Sequence, residues 1–428
     1  LPFGDQDALD FTQDLVRFPS LREQDAGLSQ ICENRLKVAV WNLLGSAEFV
    51  GGDGFVAGAG GNLDQCPKGV IGLGGDSHCP SVAKRLANCA DILSKVTSIH
   101  PVAFELAKFG RLAEVVRGEQ VESIHDGFLV ALAADGSIEF SIGEPHVQIW
   151  PRSTVKPLQA VAMLRNGLDL PESLLALAAA SHNGEPEHLG GALEILAIAG
   201  LDESALQNTP DLPWGSAASQ QWLASGRGAE RITQNCSGKH AAMLLTCVAA
   251  GWDTASYLAP THPLQFAIAE TLAEFTGEPI TATTTDGCGA PLFATTLVGL
   301  ARGFARLAAA PQQAPDSPEA KVARAMSAHP FLIAGTNRPT TTLMSAIDGL
   351  IAKDGADGVY AAALPDGRAI ALKVRDGGER PLAAALVGAL DRFGVTSGPG
   401  VDETAIAGLR TREILGGGVP VGLIRPAI

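Results

Sequence analysis

Apolar runs of strand length, separated by turn residues, recur in two parts of the chain. In each part the two runs flank an Asp-Gly turn, which is typical of a β-hairpin. The pairs are residues 128–132 with 138–142 around Ala134-Asp135-Gly136, and residues 358–364 with 368–374 around Pro365-Asp366-Gly367. We therefore expect an antiparallel sheet.

Between the two hairpins the apolar positions take the spacing of helices. Leu158, Val161 and Leu164 lie on one face of a predicted helix that Gly167 ends. Further helices are predicted over residues 172–180, 187–199 and 241–250. The expected fold class is α+β, an α-β sandwich in which a mixed, mainly antiparallel sheet is covered by helices.

Length and composition narrow the class of protein. The chain has 428 residues, which suggests two or three domains, and 46% of them are hydrophobic, which is enough for a packed core. No apolar run reaches the roughly 18 residues that span a bilayer. The first residues also lack the basic and apolar segments of a secretory signal. We expect a soluble, cytoplasmic protein that has no membrane partner.

Charge and cysteine content indicate the kind of ligand. The formal net charge of -15 argues against a nucleic-acid partner, because such a surface repels phosphate. A small-molecule ligand is the better expectation. The seven cysteines are an odd number at irregular spacing, which favours free thiols or metal ligands in a reducing compartment.

The first hundred residues differ in pattern from the rest. They contain a glycine-rich run over residues 51–61 and the cysteines Cys32, Cys66, Cys79 and Cys89. Residues 8–20 resemble the opening of metal-dependent amidohydrolases of the acetylornithine deacetylase kind, but no His-x-Asp motif follows. Cys66, His78 and Cys79 match no standard zinc spacing. We expect residues 1–102 to be an extension of unclear fold and role, and residues 103–428 to be the catalytic domain.

A serine and a lysine three residues apart begin the first predicted helix. Ser153 and Lys156 lie on one helical face, so a hydroxyl and an amine can meet there as nucleophile and base. The plainer interpretation is a helix cap with a solvated lysine. A second polar segment, Ser181-His182-Asn183-Gly184-Glu185, separates two helices; it is either an ordinary turn or part of a substrate site.

Two thiols accompany a lysine later in the chain. Cys236 and Lys239 share the i, i+3 relation, and Cys288 lies close to Asp286 in sequence. Two thiolates and a neutral amine could hold a zinc ion and leave one position open, although buried free cysteine is the commoner interpretation. Lys373 lies inside an otherwise apolar strand, where an inward amine would be desolvated.

Five motifs in order resemble the thermolabile, Rhizobium-type L-asparaginases of the asparaginase II class. They are Arg152-Ser153-x-x-Lys156-Pro157, Ser181-His182-Asn183-Gly184-Glu185, Asn235-Cys236-Ser237-Gly238-Lys239-His240, Asp286-Gly287-Cys288-Gly289, and Gly358-Val359-Tyr360 leading to Lys373. The resemblance covers about residues 105–395. It implies hydrolysis of L-asparagine to L-aspartate and ammonia on a fold similar to serine β-lactamases and glutaminases, and it suggests a homodimer.

The resemblance also implies the site residues. It pairs Ser153 with Lys156 and Ser181 with Lys373, and it puts zinc on Cys236, Lys239 and Cys288 with Asp286 nearby. We expect Ser153 to attack the side-chain amide through Lys156, while the sequence does not decide which serine is acylated. A lysine that acts as a base must be neutral, so burial and a second lysine would help. The candidates for gripping the substrate are Arg152, His182, Asn183, Asn235 and His240.

Two other functions remain open at this point. A penicillin-binding or β-lactamase-like acyl hydrolase also uses Ser-x-x-Lys, but its companion motifs Ser-Asp-Asn and Lys-Thr-Gly do not occur in suitable positions. A non-catalytic amino-acid-binding protein on the same scaffold would not need both serines and their lysines. Assays of ammonia release and of β-lactam hydrolysis would separate the three functions.

Overall fold

The computed structural model describes residues 47–50, 54–57 and 102–428. The chain divides between Ser98 and Ile99 into two units. In the first unit the described strands are β1 (Ala47–Val50) and β2 (Gly54–Ala57), which pair antiparallel. The cysteines, the His78 position and the amidohydrolase-like segment of the first hundred residues lie outside the described residues. The predicted boundary at residue 103 stays a prediction.

Eight strands of the second unit form its main sheet, and every strand pair in that sheet is antiparallel. The strands of this unit are β3 (Gly110–Arg117), β4 (Gln120–Leu132), β5 (Ile138–Ile142), β6 (Gln148–Ile149), β7 (Thr283–Thr285), β8 (Pro291–Phe293), β9 (Thr295–Thr296), β10 (Ile351–Gly355), β11 (Val359–Ala363), β12 (Ala369–Val374), β13 (Arg412–Gly416) and β14 (Val419–Pro426). Their order in the main sheet is β10-β11-β12-β4-β3-β14-β13, and β5 also pairs with β4. The predicted antiparallel sheet is confirmed.

Helices occupy most of the stretch between β6 and β10 and follow again after β12. They are α1 (Lys156–Arg165), α2 (Glu172–Ala178), α3 (Pro186–Ile198), α4 (Ser216–Ala224), α5 (Ser237–Ala250), α6 (Pro263–Thr276), α7 (Leu297–Gln313), α8 (Pro318–Ala328), α9 (Pro330–Ile333), α10 (Pro339–Ala346), α11 (Leu382–Arg392) and α12 (Glu403–Arg410). Short 3-10 turns cover Phe104–Leu106, Arg152–Val155 and Glu203–Ala205. None of the helices in the described part has the length and hydropathy of a membrane span.

The sheet is covered on both faces around β11. All five residues of β11 are buried, and alternate side chains of a strand point to opposite faces. The helices α7 and α11 both pack against β11 and β12. A continuous apolar run is what a strand buried on both faces requires. The predicted α+β arrangement, a sheet covered by helices, is therefore confirmed.

The helix α1 is buried over almost its whole length. Its residues from Lys156 to Met163 are buried, and Pro157 suits the first turn, where the missing N–H has no helical partner to lose. The helix packs against α2, α5, α6 and α8. A lysine at the first position of such a helix must lie inside the protein, and Lys156 is indeed buried.

Candidate active site

A small cavity of about 230 Å3 lies where the 3-10 turn before α1, the segment after α2 and the edge strand β10 meet. Both serines of the sequence prediction are on its wall. The lining residues are Arg152, Ser153, Ser181, Asp211, Trp214, Gln234, Asn235, Cys236, Asp286, Gly287, Cys288, Asp354, Gly355 and Ala356. The predicted motifs therefore converge, although they are up to two hundred residues apart in the chain.

The turn before α1 presents Ser153 to the cavity. Arg152 has a φ of 52°, in the left-handed region that costs a non-glycine residue free energy. Its guanidinium holds the turn from outside: Nε donates to Asp286 Oδ1 at 2.7 Å, and Nη1 pairs with Asp357. The buried Thr154 donates to Pro151 O at 2.6 Å. Two ion pairs and a local hydrogen bond thus stabilise the strained backbone next to the serine.

The edge strand β10 approaches this turn closely at Gly355. A Cβ on that residue would lie 3.0 Å from Pro151 O and 3.2 Å from Thr154 N. Because contacts of that length with backbone atoms are too tight, a residue with a side chain would push β10 away from the serine turn. The glycine lets the strand that carries Lys353 and Asp354 reach the cavity.

Lys156 is the amine that contacts a serine. Its side chain is 1% exposed, and Nζ donates to Ala180 O at 2.6 Å and to Ser181 Oγ at 2.9 Å. Ser153, three residues earlier, is not its hydrogen-bond partner in this geometry. The structure therefore pairs Lys156 with Ser181, which lies just after α2. The i, i+3 spacing in the sequence had suggested Ser153 as the partner.

The segment that carries Ser181 is fixed by its backbone. Ser181 N donates to Ile333 O at 2.9 Å, His182 N donates to Asn235 O at 3.1 Å, and Asn183 N donates to Ala334 O at 2.8 Å. The segment is thus held between the residues after α9 and those before α5. Such a segment keeps the hydroxyl at a fixed distance from Lys156, so the polar stretch is more than an exposed turn.

A second buried lysine, which the sequence motifs did not single out, lies on β10. Lys353 is 0% exposed, and its Nζ donates to Asp354 O at 2.7 Å and to Asp354 Oδ1 at 3.3 Å. Burial, with the nearby charges of Lys156 and Arg338, lowers the pKa of Lys353 to about 8, although Asp354 acts in the opposite direction. This amine is thus closer to neutrality at physiological pH than an ordinary lysine.

Asp354 is shared between Lys353 and two other donors. Arg338 Nη2 donates to Asp354 Oδ2 at 2.5 Å, and Thr340 Oγ1 donates to Asp354 Oδ1 at 3.0 Å. Burial raises the pKa of Asp354, but the charges of Lys353 and Arg338 outweigh it and hold that pKa well below its usual value. The carboxylate therefore stays charged on the cavity wall.

The predicted pair of Ser181 with Lys373 is wrong. Lys373 Nζ donates to Asp357 O and to Val374 O, and it lies 5.5 Å from the centre of the Phe104 ring. It lines a different, larger cavity. The register explains the error, because Lys373 pairs with Val359 next to the β10–β11 turn, while Lys353 lies two strands away on the edge strand.

The signal for Lys353 was present in the sequence. Ile351-Ala352-Lys353-Asp354-Gly355 is a charged pair at the end of a short apolar run, followed by a glycine. The same description of a lysine in an apolar strand fits Lys373. Only the pairing of β10, β11 and β12 decides which of the two lysines lies on the strand whose next residues, Asp354 and Gly355, line the cavity with the serines.

Three of the five predicted substrate-binding residues lie inside the protein and do not line the cavity. His182 Nε2 is 3.0 Å from Ser237 Oγ, and its Nδ1 accepts from Gly184 N. His240 Nδ1 is 2.8 Å from the hydroxyl of Tyr257. Burial holds the pKa of both imidazoles well below the usual value, so both stay neutral. These two side chains form internal hydrogen bonds beneath the cavity wall and do not reach the cavity.

Asn183 also has a structural role. Its Nδ2 donates to Thr336 O at 3.0 Å, and its Oδ1 accepts from Arg338 Nη1 at 3.2 Å. The side chain is 3% exposed. It therefore ties the Ser181 segment to the residues that hold Asp354. Of the five predicted residues, Arg152 and Asn235 are the two that line the cavity.

The predicted metal ligands come together at one end of the cavity. Lys239 Nζ is 3.2 Å from Cys288 Sγ, and all three of Cys236, Lys239 and Cys288 are buried. The hydrogen bond from Cys236 and the charge of Lys239 hold the pKa of Cys288 well below its usual value, against the effect of burial. The same hydrogen bond, with burial, raises the pKa of Cys236 to about 12.

This donor set has the elements that zinc prefers, but two of its members must lose a proton to bind the ion. Burial lowers the pKa of Lys239, but the charges of Cys288 and Cys236 outweigh it and hold that pKa above its usual value, and the pKa of Cys236 is raised as well. Two sulfurs and an amine nitrogen are the donors, and both cysteines also line the cavity, so an open position would face it. Among the described residues no three His, Cys, Asp or Glu side chains cluster as metal ligands. The amine of Lys239 is therefore needed as the third donor. Asp286 lies beside Lys239, whose charge contributes to lowering the pKa of that carboxyl against the effect of burial.

The comparisons with known proteins agree with the motifs. The sequence profile of a family described as L-asparaginase II matches residues 113–426. No curated protein matches this sequence. Similar solved structures include Mglu in its tris and glutamate form, with 17% identity, a TM-score of 0.31, and coverage of 66% of this chain and 64% of Mglu.

Two further structures have a similar level of likeness. A β-lactamase from Mycobacterium bovis has 15% identity and a TM-score of 0.36, over 62% of this chain and 94% of its own. A Bacillus glutaminase has 12% identity and a TM-score of 0.30, over 63% of this chain and 91% of its own.

Proposed function

This chain belongs to the L-asparaginase II family, and from that premise we propose that it hydrolyses the side-chain amide of L-asparagine to L-aspartate and ammonia. One observation carries the proposal. The buried amine of Lys156 lies 2.9 Å from Ser181 Oγ at the wall of a small cavity that Ser153 also lines. A hydroxyl beside a desolvated amine is the arrangement that nucleophilic attack on an amide requires.

We assign the attack to Ser153. Its hydroxyl oxygen bonds to the amide carbon, its proton passes to the Lys156–Ser181 pair, the C–N bond breaks, and the nitrogen leaves with a proton as ammonia. Water then adds to the ester, the aspartate is released, and the serine regains its proton. Ser153 is half-buried while Ser181 is 2% exposed, which supports Ser153 as the hydroxyl that the substrate reaches.

The two buried lysines, Lys156 and Lys353, support the proposed transfer of the serine proton. The charge of Lys156 is among the causes that lower the pKa of Lys353, because like charges in a low-dielectric interior repel. With a pKa of about 8, Lys353 can give up its proton near physiological pH. We propose that Lys353 takes the part that the family resemblance assigned to Lys373.

The size and charge of the cavity support a small zwitterionic substrate. A volume of about 230 Å3 suits a single amino acid better than a larger molecule. The guanidinium of Arg152 can hold the α-carboxylate, since Arg presents a planar pair of donors. Carboxylates of Asp211 and Asp354 line the same cavity and can receive the α-ammonium group. Asn235 supplies an amide on that wall.

Ammonia release tests the reaction. We expect release from L-asparagine by the wild-type chain and a loss of at least about 100-fold in kcat/KM for both Ser153→Ala and Ser181→Ala. L-glutamine and a β-lactam are run in parallel, since family members and neighbours in structure act on related bonds. Hydrolysis of the β-lactam without ammonia release from either amide would overturn the proposal.

Mass spectrometry of a trapped intermediate tests the assignment of the serines. Acid quenching during turnover should leave an aspartyl adduct on the peptide that contains Ser153. An adduct on the peptide that contains Ser181 would reverse the roles of the two hydroxyls. Absence of any adduct under conditions of steady ammonia release would argue for direct attack by water.

We also propose that Cys236, Lys239 and Cys288 hold a zinc ion. A bound ion would supply positive charge beside the cavity and so attract a carboxylate of the substrate. Because the serine and lysine residues can carry out the attack themselves, we expect chelation to raise KM more than it lowers kcat. Elemental analysis should find one zinc per chain and less after Cys288→Ser; complete loss of kcat on chelation would contradict this.

The homodimer and the cytoplasmic location remain predictions that rest on the family resemblance and on composition. Sedimentation velocity of the purified chain tests the first of them. A single species at twice the mass of the chain is expected.

A further inference from the structure

A second cavity, larger than the first, lies on the other side of Arg152. Its volume is about 720 Å3, and Arg152 lines both cavities. Side chains with apolar surfaces form a large part of its wall: Phe104, Ile149, Trp150 and Leu292. Trp150 is 39% exposed, which is unusual for so large an apolar side chain. A broad apolar wall suits the flat body of an organic ligand.

Lys373 and Arg375 line the same cavity, and neither forms a salt bridge with a carboxylate of the described residues. Two hydrogen bonds of Lys373 go to backbone carbonyl oxygens, those of Asp357 and Val374. An ammonium group has three donors, so one remains for a ligand. The guanidinium of Arg375 lies 3.9 Å from the centre of the Phe109 ring. In a protein with a net charge of -15, two cations outside any salt bridge favour an anion at this wall.

The carboxylates on this wall are engaged or exposed. Asp357 pairs with Arg152, and Asp376 Oδ1 accepts from Gly378 N at 2.9 Å. Glu105 is exposed on the 3-10 turn. Burial and the charge of Arg152 lower the pKa of Lys373 to about 8, although Asp376 acts in the opposite direction. An anion placed next to this amine would therefore replace solvation that burial has removed.

We propose that this outer cavity is a second binding site, for a small organic anion with a flat apolar body. The anionic group contacts Lys373 and Arg375, and the apolar body lies against Phe104 and Trp150. This site is separate from amide hydrolysis, so it does not depend on the function proposed above.

Isothermal titration calorimetry on the full chain tests the proposal with three probes of similar shape. Benzoate and phenyl phosphate are anionic, and benzyl alcohol is neutral. We expect one site per chain for at least one of the two anions and binding at least tenfold weaker for the alcohol. A preference for benzoate would identify a carboxylate site, and a preference for phenyl phosphate would identify a phosphate site.

Variants locate the site. Lys373→Met should weaken anion binding at least tenfold, and Arg375→Met, on an exposed side chain, should weaken it severalfold without affecting the fold. Lys321→Met on α8 and Trp214→Ala in the smaller cavity are the controls and should leave the affinity unchanged. Three results would overturn the proposal. They are an anion affinity of Lys373→Met equal to that of the wild type, binding of benzyl alcohol as tight as that of the anions, and a loss of anion binding in Trp214→Ala.

Discussion

At the scale of single residues, the site depends on amines that the fold has removed from water. Lys156 and Lys353 are each exposed by 1% or less. An ammonium group buried without a close carboxylate is unfavourable, and Lys156 has a carbonyl and a hydroxyl as its partners. Stability and the proposed catalysis therefore place opposite demands on Lys156.

Replacement of Lys156 by Met separates the two demands. We expect ammonia release to fall by about 100-fold or more, because the amine beside Ser181 is lost. The free energy of unfolding should not decrease, since a buried polar group is exchanged for an apolar one of similar length. Steady-state kinetics and urea unfolding measure the two effects.

Lys373→Met is the matched comparison for that variant. It also removes a lysine, but one that does not contact either serine. We expect its ammonia release to fall less than about tenfold. A larger loss in Lys373→Met than in Lys156→Met would restore the pairing that the sequence suggested.

The pKa of Lys353 gives a prediction about stability and pH. Its pKa is about 8 in the folded chain, below the ordinary value of 10.5, so the unfolded chain binds more protons between these two values. The contribution of Lys353 to the wild-type free energy of unfolding therefore increases as pH rises from 8 towards 10.5. Relative to Lys353→Met, the gain is roughly 3 kcal/mol at about 1.4 kcal/mol per pKa unit.

Urea unfolding of wild type and Lys353→Met at pH 7, 8, 9 and 10 measures this difference. The variant should be the more stable protein near pH 7, and its advantage should shrink with rising pH. A difference that stays constant over this range would show that Lys353 has an ordinary pKa in the folded chain.

The sequence predicted the residues of the site better than their partners. Ser153, Ser181, Cys236 and Cys288 line one cavity and Lys239 contacts Cys288, while their catalytic and metal-binding roles stay predictions. Pairings between segments were less accurate, since they depend on register and on the direction of side chains. From the sequence, His182 and His240 were expected to bind the substrate. In the structure both imidazoles are fully buried and contact other side chains of the protein.

At the scale of elements, the helix α5 carries Lys239 in its first turn, and the start of the helix is tightly packed. A Cβ at Gly238 would lie 2.6 Å from Leu177 Cγ and 2.7 Å from Leu177 O. The second of these atoms belongs to the backbone of α2 and cannot rotate away. The position of Lys239 therefore depends on a glycine next to it.

Gly238→Ala should lower the free energy of unfolding by roughly 1 to 3 kcal/mol through overpacking and should reduce zinc content. Gly190→Ala on α3 is the matched control, because nothing lies within 4 Å of a Cβ there. That change should stabilise the protein by up to about 1 kcal/mol, since Ala favours helices over Gly. Equal stabilities of the two variants would contradict the packing argument.

The elements themselves were largely predictable. The two hairpins form as β4 with β5 and as β11 with β12, because Asp-Gly turns between apolar runs specify them locally. The predicted helices over 172–180 and 187–199 are the observed α2 and α3 with slightly different ends. The strand β10 was missed as an element of the site because five residues carry too little pattern to distinguish a strand.

At the scale of the whole molecule, the residues just before β3 belong to the second unit. Val102 N donates to His146 O at 3.1 Å, and Gln148 N donates to Val102 O at 3.0 Å. The ring of Phe104 lies 5.3 Å from that of Phe128 in an edge-to-face arrangement. A hydrophobic contact and two hydrogen bonds thus connect this segment to β4 and to the residues that lead into Ser153.

A chain that begins at Ile99 should therefore fold and release ammonia. A chain that begins at Gly110 should have a free energy of unfolding lower by roughly 2 to 4 kcal/mol, because it lacks the aromatic contact and both hydrogen bonds. Thermal unfolding and ammonia release of the two shortened chains are compared with the full chain. An inactive or aggregated chain from Ile99 would show that the first unit is required.

The strands β3 and β14 are the first and the last of the main sheet in chain order, and they pair with each other in the sheet. Pro426 pairs with Ala113, and Ala427 N donates to Leu112 O at 3.0 Å. A short covalent connection from Ile428 to Gly110, with new termini in the exposed turn at 226–228, would accordingly keep every strand pair of the sheet while it loses the contacts of Val102 and Phe104. Ser153 and Ser181 would then come after Cys236 and Cys288 in a circular permutant, with the same cavity assembled from a different chain order.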